Sequence, residues 1–272
     1  MPSQYPVLSP QASRASSNGL CALAVMSKAP CAGLVKTRLV PPLTPEEAAA
    51  LNVCFLRDMT ANIAGVARSG GADGVVVYTP VGAESVFDGL LLEGFSLLVQ
   101  CGASFGDRLF HAAEDLLAVG YSSLCLIDSD SPTLPCQLLR AAVAALKRAG
   151  DRVALGAADD GGYYLIGLKH AHRRLFEDVD WSTARVLRQT IERAAEINLA
   201  VESLPAWYDV DEASSLRRLC EELFAKPAKQ DGRICRAGYA ATHTRNYLAR
   251  LIGAEGRSRV WPEAQAQRGQ KA

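Results

Sequence analysis

The chain has 272 residues, of which 49% are hydrophobic and 7% aromatic, and its 29 basic side chains balance 29 acidic ones. This balance excludes a strong field that would steer the protein to nucleic acid or to anionic lipid. No apolar run approaches the roughly 20 residues that a membrane helix needs, so we expect no membrane span. The oligomeric state stays open.

The amino-terminal half begins with a polar segment and then alternates apolar and amphipathic stretches. Residues 1–19 are rich in Ser, Pro and Gln and lack the apolar core of a signal peptide, which predicts a disordered tail. Residues 20–26 are apolar throughout, as is typical of a strand buried on both faces of a parallel sheet. Residues 44–47 (Thr-Pro-Glu-Glu) carry an N-cap, an N1 proline and first-turn acids, and predict a helix to about Arg68.

The same alternation continues to residue 224. It predicts strands at 74–79, 96–100, 123–127, 152–156, 163–168 and 199–203, and helices at 83–90, 106–119, 135–149, 183–197 and 212–224. Strands separated by helices of this length indicate an α/β fold with a doubly wound, mostly parallel sheet. We therefore expect one domain over residues 20–225, then a C-terminal segment, 226–272, with a linker at 226–233, a helix at 236–252 and a frayed tail.

Cysteine and histidine give no strong site signal. The eight cysteines form no C-x-x-C pair and several lie in apolar stretches, which favours buried thiols in a reducing cytoplasm over a zinc ribbon. His170 and His172 flank Ala171, a weak metal spacing that we interpret as a surface feature.

Two carboxylates follow the predicted strand 123–127 directly. Asp128 and Asp130 precede a Ser-Pro break, and residues i and i+2 of an extended segment point to the same side. Carboxylate oxygens suit Mg²⁺ or Mn²⁺, ions that usually keep positions open for substrate phosphates. The alternative is that these acids cap the next helix or face water.

A basic loop follows the first strand. It combines Gly33, which lets backbone approach a ligand closely, with the cations Lys28, Lys36 and Arg38. Cationic groups at the carboxyl end of a strand recognise phosphate through charge-assisted hydrogen bonds. A Walker-type loop is absent, because Val35 stands where that motif needs glycine, and no G-x-G-x-x-G fingerprint occurs. The alternative is a solvated basic loop.

Three further stretches could face the same crevice. Asp160, within Asp159-Asp160-Gly161-Gly162, could act as a metal ligand or general base, unless these residues form only a turn. Asp209 could reach the cation, whereas Asp211 could instead cap the helix that follows. Trp181, before Ser182 and Thr183, could shape a binding pocket or belong to the core.

These residues resemble a known family. The ordered motifs are Lys28-Ala29-Pro30-x-x-Gly33-x-x-Lys36-Thr37-Arg38-Leu39, Asp130-x-Pro132-x-Leu134, residues 158–168, Trp181-Ser182-Thr183 with Val186-Leu187, and Asp209-Val210-Asp211. They are similar, over roughly residues 22–219, to the DUF2064 group of glycosyltransferase-A-like proteins, also labelled arsenosugar-biosynthesis glycosyltransferases. Asp128 and Thr133 depart from the family pattern G-x-D-x-P-D-L, in which a small residue and a second acid occupy these positions.

The resemblance implies a glycosyltransferase-A (nucleotide-diphospho-sugar transferase) fold with Mg²⁺ or Mn²⁺ held against a diphosphate. We expect a metal-dependent glycosyltransferase that joins part of a nucleoside-diphosphate sugar to a small-molecule acceptor. The basic first loop looks more like nucleotidyltransferases, which release pyrophosphate, so that activity is the alternative; a non-catalytic nucleotide-binding protein is the second.

Each predicted site residue has a role in this scheme. Asp130 and Asp160 are the expected catalytic residues. The expected metal ligands are Asp128, Asp130, Asp209 and Asp211; the nucleotide or phosphate ligands are Lys28, Gly33, Lys36 and Arg38; and the acceptor-binding residues are Asp159, Gly161, Gly162, Tyr163, Trp181, Ser182 and Thr183.

Overall fold

A computed structural model describes residues 3–12, 17–224 and 238–261. Its strands are β1 Cys21–Lys28, β2 Ala72–Thr79, β3 Ser96–Val99, β4 Ser123–Ile127, β5 Arg152–Ala158, β6 Tyr163–Leu168 and β7 Ala200–Trp207. Its α-helices are α1 Pro45–Ala67, α2 Phe105–Val119, α3 Cys136–Lys147, α4 Val186–Glu196, α5 Ala213–Phe224, α6 Thr242–Glu255 and α7 Arg257–Val260. The predicted α/β fold class is confirmed.

The seven strands form one sheet in the order β3-β2-β1-β4-β6-β5-β7. Every neighbouring pair is parallel except those of β6, which runs antiparallel to β4 and β5. A four-residue turn, 159–162, joins β5 to β6, and it is too short for the crossover that a parallel pair requires.

The strand order reverses beside β1, and this reversal predicts where in the sheet a ligand crevice lies. The chain runs from β1 outward to β2 and β3, then returns to β4 on the other side of β1. Ligands of open α/β sheets bind at such a reversal, outside the carboxyl ends of the strands. Because β6 is antiparallel, its amino end joins the carboxyl ends of β1, β4, β5 and β7 at this edge.

Apolar side chains cover both faces of the sheet. On one face, Leu56 and Met59 of α1 and Leu139 of α3 are buried with β1 and β4; on the other, α2 and α4 bury a second cluster that includes Leu116. The four central residues of β1, 22–25, are fully buried, as its unbroken apolar sequence predicts. Within the described residues, no helix is both long enough and apolar enough to cross a membrane.

Local capping signals set the amino-terminal ends of α1 and α2. The Thr44 hydroxyl accepts a hydrogen bond from Glu47 N at 3.2 Å and Glu47 Oε2 accepts one from Thr44 N at 2.8 Å, a capping box that begins α1 where predicted. The helix predicted at 83–90 is only a short 3₁₀ turn, Glu84–Phe87.

The C-terminal helices pack on α1 and α5 rather than fray. The carboxylate of Asp58, which is 1% exposed, accepts hydrogen bonds from His243 N and Thr244 N at 2.9 and 2.7 Å and so caps α6 from a neighbouring helix. The expected frayed tail is therefore wrong for residues 253–261, which are largely helical. The predicted linker at 226–233 lies outside the described residues.

The amino-terminal segment 3–12 lies on the sheet, so the expectation of a disordered tail is wrong for these residues. Leu8 N donates to Leu97 O at 2.7 Å, and Leu97 N donates to Pro6 O at 2.8 Å, next to a parallel bridge between Val7 and Leu97 of β3. Tyr5 and Leu8 are buried. The polar average composition of this segment gave no indication that two of its apolar side chains, Tyr5 and Leu8, are buried against the sheet.

Candidate active site

The crevice at the carboxyl edge of the sheet has two compartments that meet at an acidic junction. The aromatic compartment, of about 470 Å³, is lined by Phe105, Tyr163 and Trp181, and the basic compartment, of about 410 Å³, by Lys28 and Arg108. Both compartments are lined by Met26, Arg38, Phe105, Asp128, Asp130 and Asp211.

The two acids after β4 face this junction together, as their spacing predicts. Asp128 Oδ2 accepts from Ser131 Oγ at 2.9 Å, while burial, and then the charge of Asp130, raise the pKa of Asp128 well above its ordinary value. Asp130 Oδ1 accepts from Ser129 Oγ at 2.8 Å, and burial raises the pKa of Asp130 despite a nearby lysine. Neither carboxylate caps α3, which begins at Cys136 after Pro135.

That lysine is Lys36, which lies inside the acidic junction. Its side chain is 3% exposed, and its Nζ is 2.8 Å from Asp130 Oδ1, 2.8 Å from Asp211 Oδ1 and 2.9 Å from Val210 O. Burial lowers the pKa of Lys36, but the two carboxylates outweigh it and raise that pKa overall. These three acceptors match the three donors of an ammonium group. Lys36 is thus the internal counter-ion of the acids, and the predicted phosphate contact would require it to leave them.

The acids after β7 complete the junction. Val210 N donates to Asp130 O at 2.9 Å and ties this loop to the one after β4. Burial, followed by the charge of Asp160, raises the pKa of Asp209 to about 6. Asp211 is half-buried; partial burial acts to raise its pKa, but the charge of Lys36 outweighs this and lowers the pKa overall. The Asp211 carboxylate binds Lys36 at the junction, which leaves little support for a helix-capping role.

The turn between β5 and β6 brings only part of its predicted residues to the crevice. Asp160 is exposed and lines the aromatic compartment with Gly162, whose N–H donates to Asp160 Oδ1 at 2.8 Å. Asp159 instead forms an ion pair with Arg218 at 2.5 Å. Gly161, at φ +91°, packs so closely that a Cβ would lie 2.3 Å from Ala184 O. Asp159 and Gly161 therefore lie outside the lining.

Gly33 also lies outside both compartments. It has φ +76° in the loop after β1, where a Cβ would meet no neighbouring atom. Arg38 from the same loop lines both compartments with a side chain that is 66% exposed. Of the predicted phosphate ligands, Lys28 and Arg38 thus face open space.

Three aromatic rings form one wall of the aromatic compartment. The ring centroid of Trp181 is 5.2 Å from that of Phe105 and 6.5 Å from that of Tyr163, both edge to face. Gly106 allows this approach, because a Cβ there would lie 2.8 Å from Trp181 Nε1. Ser182 and Thr183 extend the wall.

Sequence reasoning missed the residues that α2 contributes, Phe105 and Arg108. A signal for them exists: Ser104 and Asp107 form a capping box directly after β3, with Asp107 N donating to Ser104 Oγ at 3.0 Å. A helix that begins after a strand of this sheet has its first turn at the carboxyl edge. Thr79, the last residue of β2, and Gln100, which follows β3, also line the basic compartment and were also missed.

The donor set fits a hard divalent cation. Four carboxylates, Asp128, Asp130, Asp209 and Asp211, line one cavity, and the pKa values of three of them are raised by burial and by neighbouring acids. Lys36 neutralises only part of this charge. Mg²⁺ or Mn²⁺ prefers oxygen ligands and would relieve the remaining repulsion.

One solved structure resembles this chain over most of its length. A candidate nucleotide-diphospho-sugar transferase from Desulfovibrio desulfuricans G20 is 29% identical, with a TM-score of 0.73 over 88% of this chain and 97% of that one. This likeness confirms the expected fold type. A search of the curated proteins finds no significant match.

Two more distant structures have TM-scores below 0.5 and carry no weight for fold or function. One is a cytidylyltransferase from Leptospira borgpetersenii serovar Hardjo-bovis (11% identity, TM-score 0.48, 92% of this chain and 99% of that one). The other is glucosyl-3-phosphoglycerate synthase from Mycobacterium tuberculosis, with Mn²⁺, uridine diphosphate and phosphoglyceric acid (9%, 0.43, 86% and 78%).

A family model also matches part of the chain. It describes uncharacterized proteins conserved in bacteria (DUF2064) and matches residues 62–183, which include β4 with its acids and the β5–β6 turn. The basic loop after β1 and the acids after β7 lie outside the matched stretch. The predicted resemblance to the DUF2064 family is therefore confirmed, with residues 62–183 as the part that carries the match.

Proposed function

We propose that the protein is a metal-dependent glycosyltransferase that transfers a sugar from a nucleoside-diphosphate donor to a small-molecule acceptor. The observation that carries this proposal is the division of one crevice into a basic and an aromatic compartment that share three carboxylates, those of Asp128, Asp130 and Asp211. The similarity to a candidate nucleotide-diphospho-sugar transferase, at 29% identity over most of both chains, supports it.

The basic compartment suits the diphosphate of such a donor. Lys28, Arg38 and Arg108 line it, and Arg38 reaches the junction as well. Charge-assisted hydrogen bonds from these groups would hold the phosphates and offset the charge that grows as the nucleoside diphosphate departs.

The acidic junction suits the cation that would accompany the diphosphate. Asp130 and Asp128, with Asp209 and Asp211, would hold Mg²⁺ or Mn²⁺, which when bound supplies Lewis-acid stabilisation of the leaving phosphate oxygens. Lys36 keeps Asp130 and Asp211 oriented in the free protein through its two 2.8 Å contacts. The junction therefore supplies both a metal site and a fixed positive charge.

The aromatic compartment suits the acceptor. Asp160 lies exposed at its rim, where it could accept a proton from an acceptor hydroxyl or orient that hydroxyl. Tyr163 and Trp181 offer ring faces and edges, while Ser182 and Thr183 offer hydroxyl groups.

Free thiols at all the described cysteines support a reducing, cytoplasmic location.

Nucleotidyl transfer is the second candidate, and the basic compartment is the observation that favours it. Three cations suit a triphosphate at least as well as a diphosphate. A nucleotidyltransferase would then release pyrophosphate from a nucleoside triphosphate after attack by a phosphorylated acceptor.

Ligand-dependent melting tests the proposal. The midpoint of unfolding would be measured with nucleoside diphosphates, nucleoside-diphosphate sugars and triphosphates, each with and without Mn²⁺. Binding to the folded state raises stability by about 2.7 kcal/mol at a hundredfold excess over Kd. A Mn²⁺-dependent shift by one diphosphate sugar supports glycosyl transfer and identifies the donor, and a preference for a triphosphate supports nucleotidyl transfer.

The remaining outcomes are also informative. No shift with any ligand would contradict nucleotide use altogether. A shift without turnover against any acceptor would favour a non-catalytic nucleotide-binding protein.

A further inference from the structure

A second group of potential metal ligands lies at the opposite edge of the sheet. Asp151 precedes β5, and His170 and His172 follow β6. In the antiparallel register Ala154 faces Gly167, so continuing that pairing outward by three residues sets Asp151 opposite His170. The open end of the β5–β6 hairpin therefore brings the three side chains together, away from the acidic crevice.

The ligand atoms already converge. His172 Nε2 is 2.7 Å and His170 Nδ1 is 3.2 Å from Asp151 Oδ2. One ligand atom from each of the three residues lies within 4.8 Å of the others. The two imidazole rings lie beside each other, with ring centroids 6.1 Å apart.

In this structure the three side chains contact one another through Asp151 Oδ2, and a bound cation would take the place of these contacts. Asp151 Oδ1 accepts from Arg152 N at 2.9 Å, so a backbone donor orients the carboxylate and Oδ2 faces the imidazoles. The neighbouring ammonium group of Lys169 donates to Arg148 O and Gly150 O at 2.5 and 2.8 Å. Asp151 and His172 are half-buried, whereas His170 is 69% exposed, which leaves a side open for water.

We propose that Asp151, His170 and His172 bind a borderline divalent cation, with Zn²⁺ as the best fit, and that this cation ties the open end of the β5–β6 hairpin. Two imidazoles and one carboxylate select Zn²⁺ over Mg²⁺, whereas the all-carboxylate crevice has the opposite preference. Three protein ligands leave a fourth tetrahedral position for water. The protein would thus sort two classes of cation between the two edges of its sheet.

Calorimetric titration of the full chain with Zn²⁺ tests this site. The protein would carry no polyhistidine tag, and excess Mg²⁺ would be present to occupy the crevice. The His170→Ala/His172→Ala variant is compared with His111→Ala/His243→Ala, a matched control that removes two histidines elsewhere. We expect Zn²⁺ affinity to fall at least ~10-fold in the first variant, since loss of even an outer-shell partner costs that much, and to stay unchanged in the control.

Thermal melting provides the second measurement. Zn²⁺ should raise the unfolding midpoint of the wild type and of the control but not of the His170→Ala/His172→Ala variant. If that variant does not fold, the single exposed substitution His170→Ala replaces it. Equal Zn²⁺ affinity in both double variants, or no Zn²⁺ binding by the wild type, would overturn the proposal.

Discussion

The two compartments of the crevice share the acids Asp128, Asp130 and Asp211 but differ in most of their other lining residues. The basic compartment presents the cations Lys28 and Arg108, whereas the aromatic compartment presents rings and hydroxyl groups around Trp181. A ligand that spans both would place its most charged part on one side and its ring or hydroxyl part on the other. The bond that is broken in the proposed transfer would then lie near the acids of the junction, Asp128 and Asp130.

Removing the carboxylate of Asp130, which lines both compartments, should have the largest effect on turnover. Asp130→Asn keeps the size of the side chain but removes a negative charge from the junction, so we expect turnover to fall by about 10²–10³, as for loss of one key electrostatic group. Turnover of the purified variant measures this. Asp73→Asn, at the opposite edge of the sheet, is the matched control, and normal turnover in Asp130→Asn would refute the metal assignment.

Removing the internal counter-ion should mainly change stability. Lys36→Met leaves Asp130 and Asp211 without their shared cation, and because both carboxylates are partly exposed we expect a loss of about 1.5–3 kcal/mol of unfolding free energy, the range for hydrogen bonds to charged groups. Denaturant unfolding without divalent cations measures the loss, and added Mg²⁺ should restore part of it. Lys28→Met, on an exposed side chain, should change little; equal effects would contradict the special role of Lys36.

Truncating a cation of the basic compartment should weaken the binding of the nucleotide and leave the binding of the acceptor unchanged. Arg108→Ala removes a charge-assisted contact worth about 1.5–3 kcal/mol, which corresponds to at least ~10-fold in Kd. Nucleotide titration measures this, while KM for the acceptor should not change. A rise in acceptor KM alone would show that the compartments have been assigned in reverse.

Protons should compete with the cation at the junction. Because the pKa of Asp209 is raised to about 6, this carboxylate is ionised above that pH and protonated below it. We expect Mg²⁺ affinity to fall by up to ~10-fold per unit as the pH drops through about 6, since one proton must be displaced. Mg²⁺ titration at several pH values measures it, and Asp209→Asn should flatten the dependence in this range.

Removing an aromatic ring should have the smallest effect and reverse the pattern of Arg108→Ala. Trp181→Ala removes a ring that lines the proposed acceptor compartment and packs edge to face on Phe105 and Tyr163, so we expect acceptor KM to rise several-fold. Steady-state kinetics with varied acceptor measures it, and nucleotide Kd should stay unchanged. Weaker nucleotide binding with normal acceptor KM would assign the wall to the donor instead.

The sequence predicted the sheet well because its signals are local. The unbroken apolar run of β1 and the capping box at Thr44 need no tertiary information to be read. The spacing of Asp128 and Asp130 likewise predicted that both would face one cavity. Each of these features depends on backbone periodicity or on neighbouring residues alone.

What the sequence could not reveal depends on partners distant along the chain. Lys36 is an internal counter-ion because Asp211, 175 residues later, reaches it. Asp159 and Asp160 are adjacent and chemically identical, yet Arg218 holds the first outside the crevice. The packing of residues 3–12 rests on single apolar side chains, Tyr5 and Leu8, which a composition average hides.

The strand-like segment at the amino terminus also bears on self-association. Edge strands offer unpaired backbone groups that recruit strands from other molecules. At β3, both the N–H and the carbonyl of Leu97 are already engaged by residues 6–8 of the same chain. A strand from a second molecule could pair with β3 at that point only by displacing this segment. The segment therefore hinders fibre-like association through the backbone of β3.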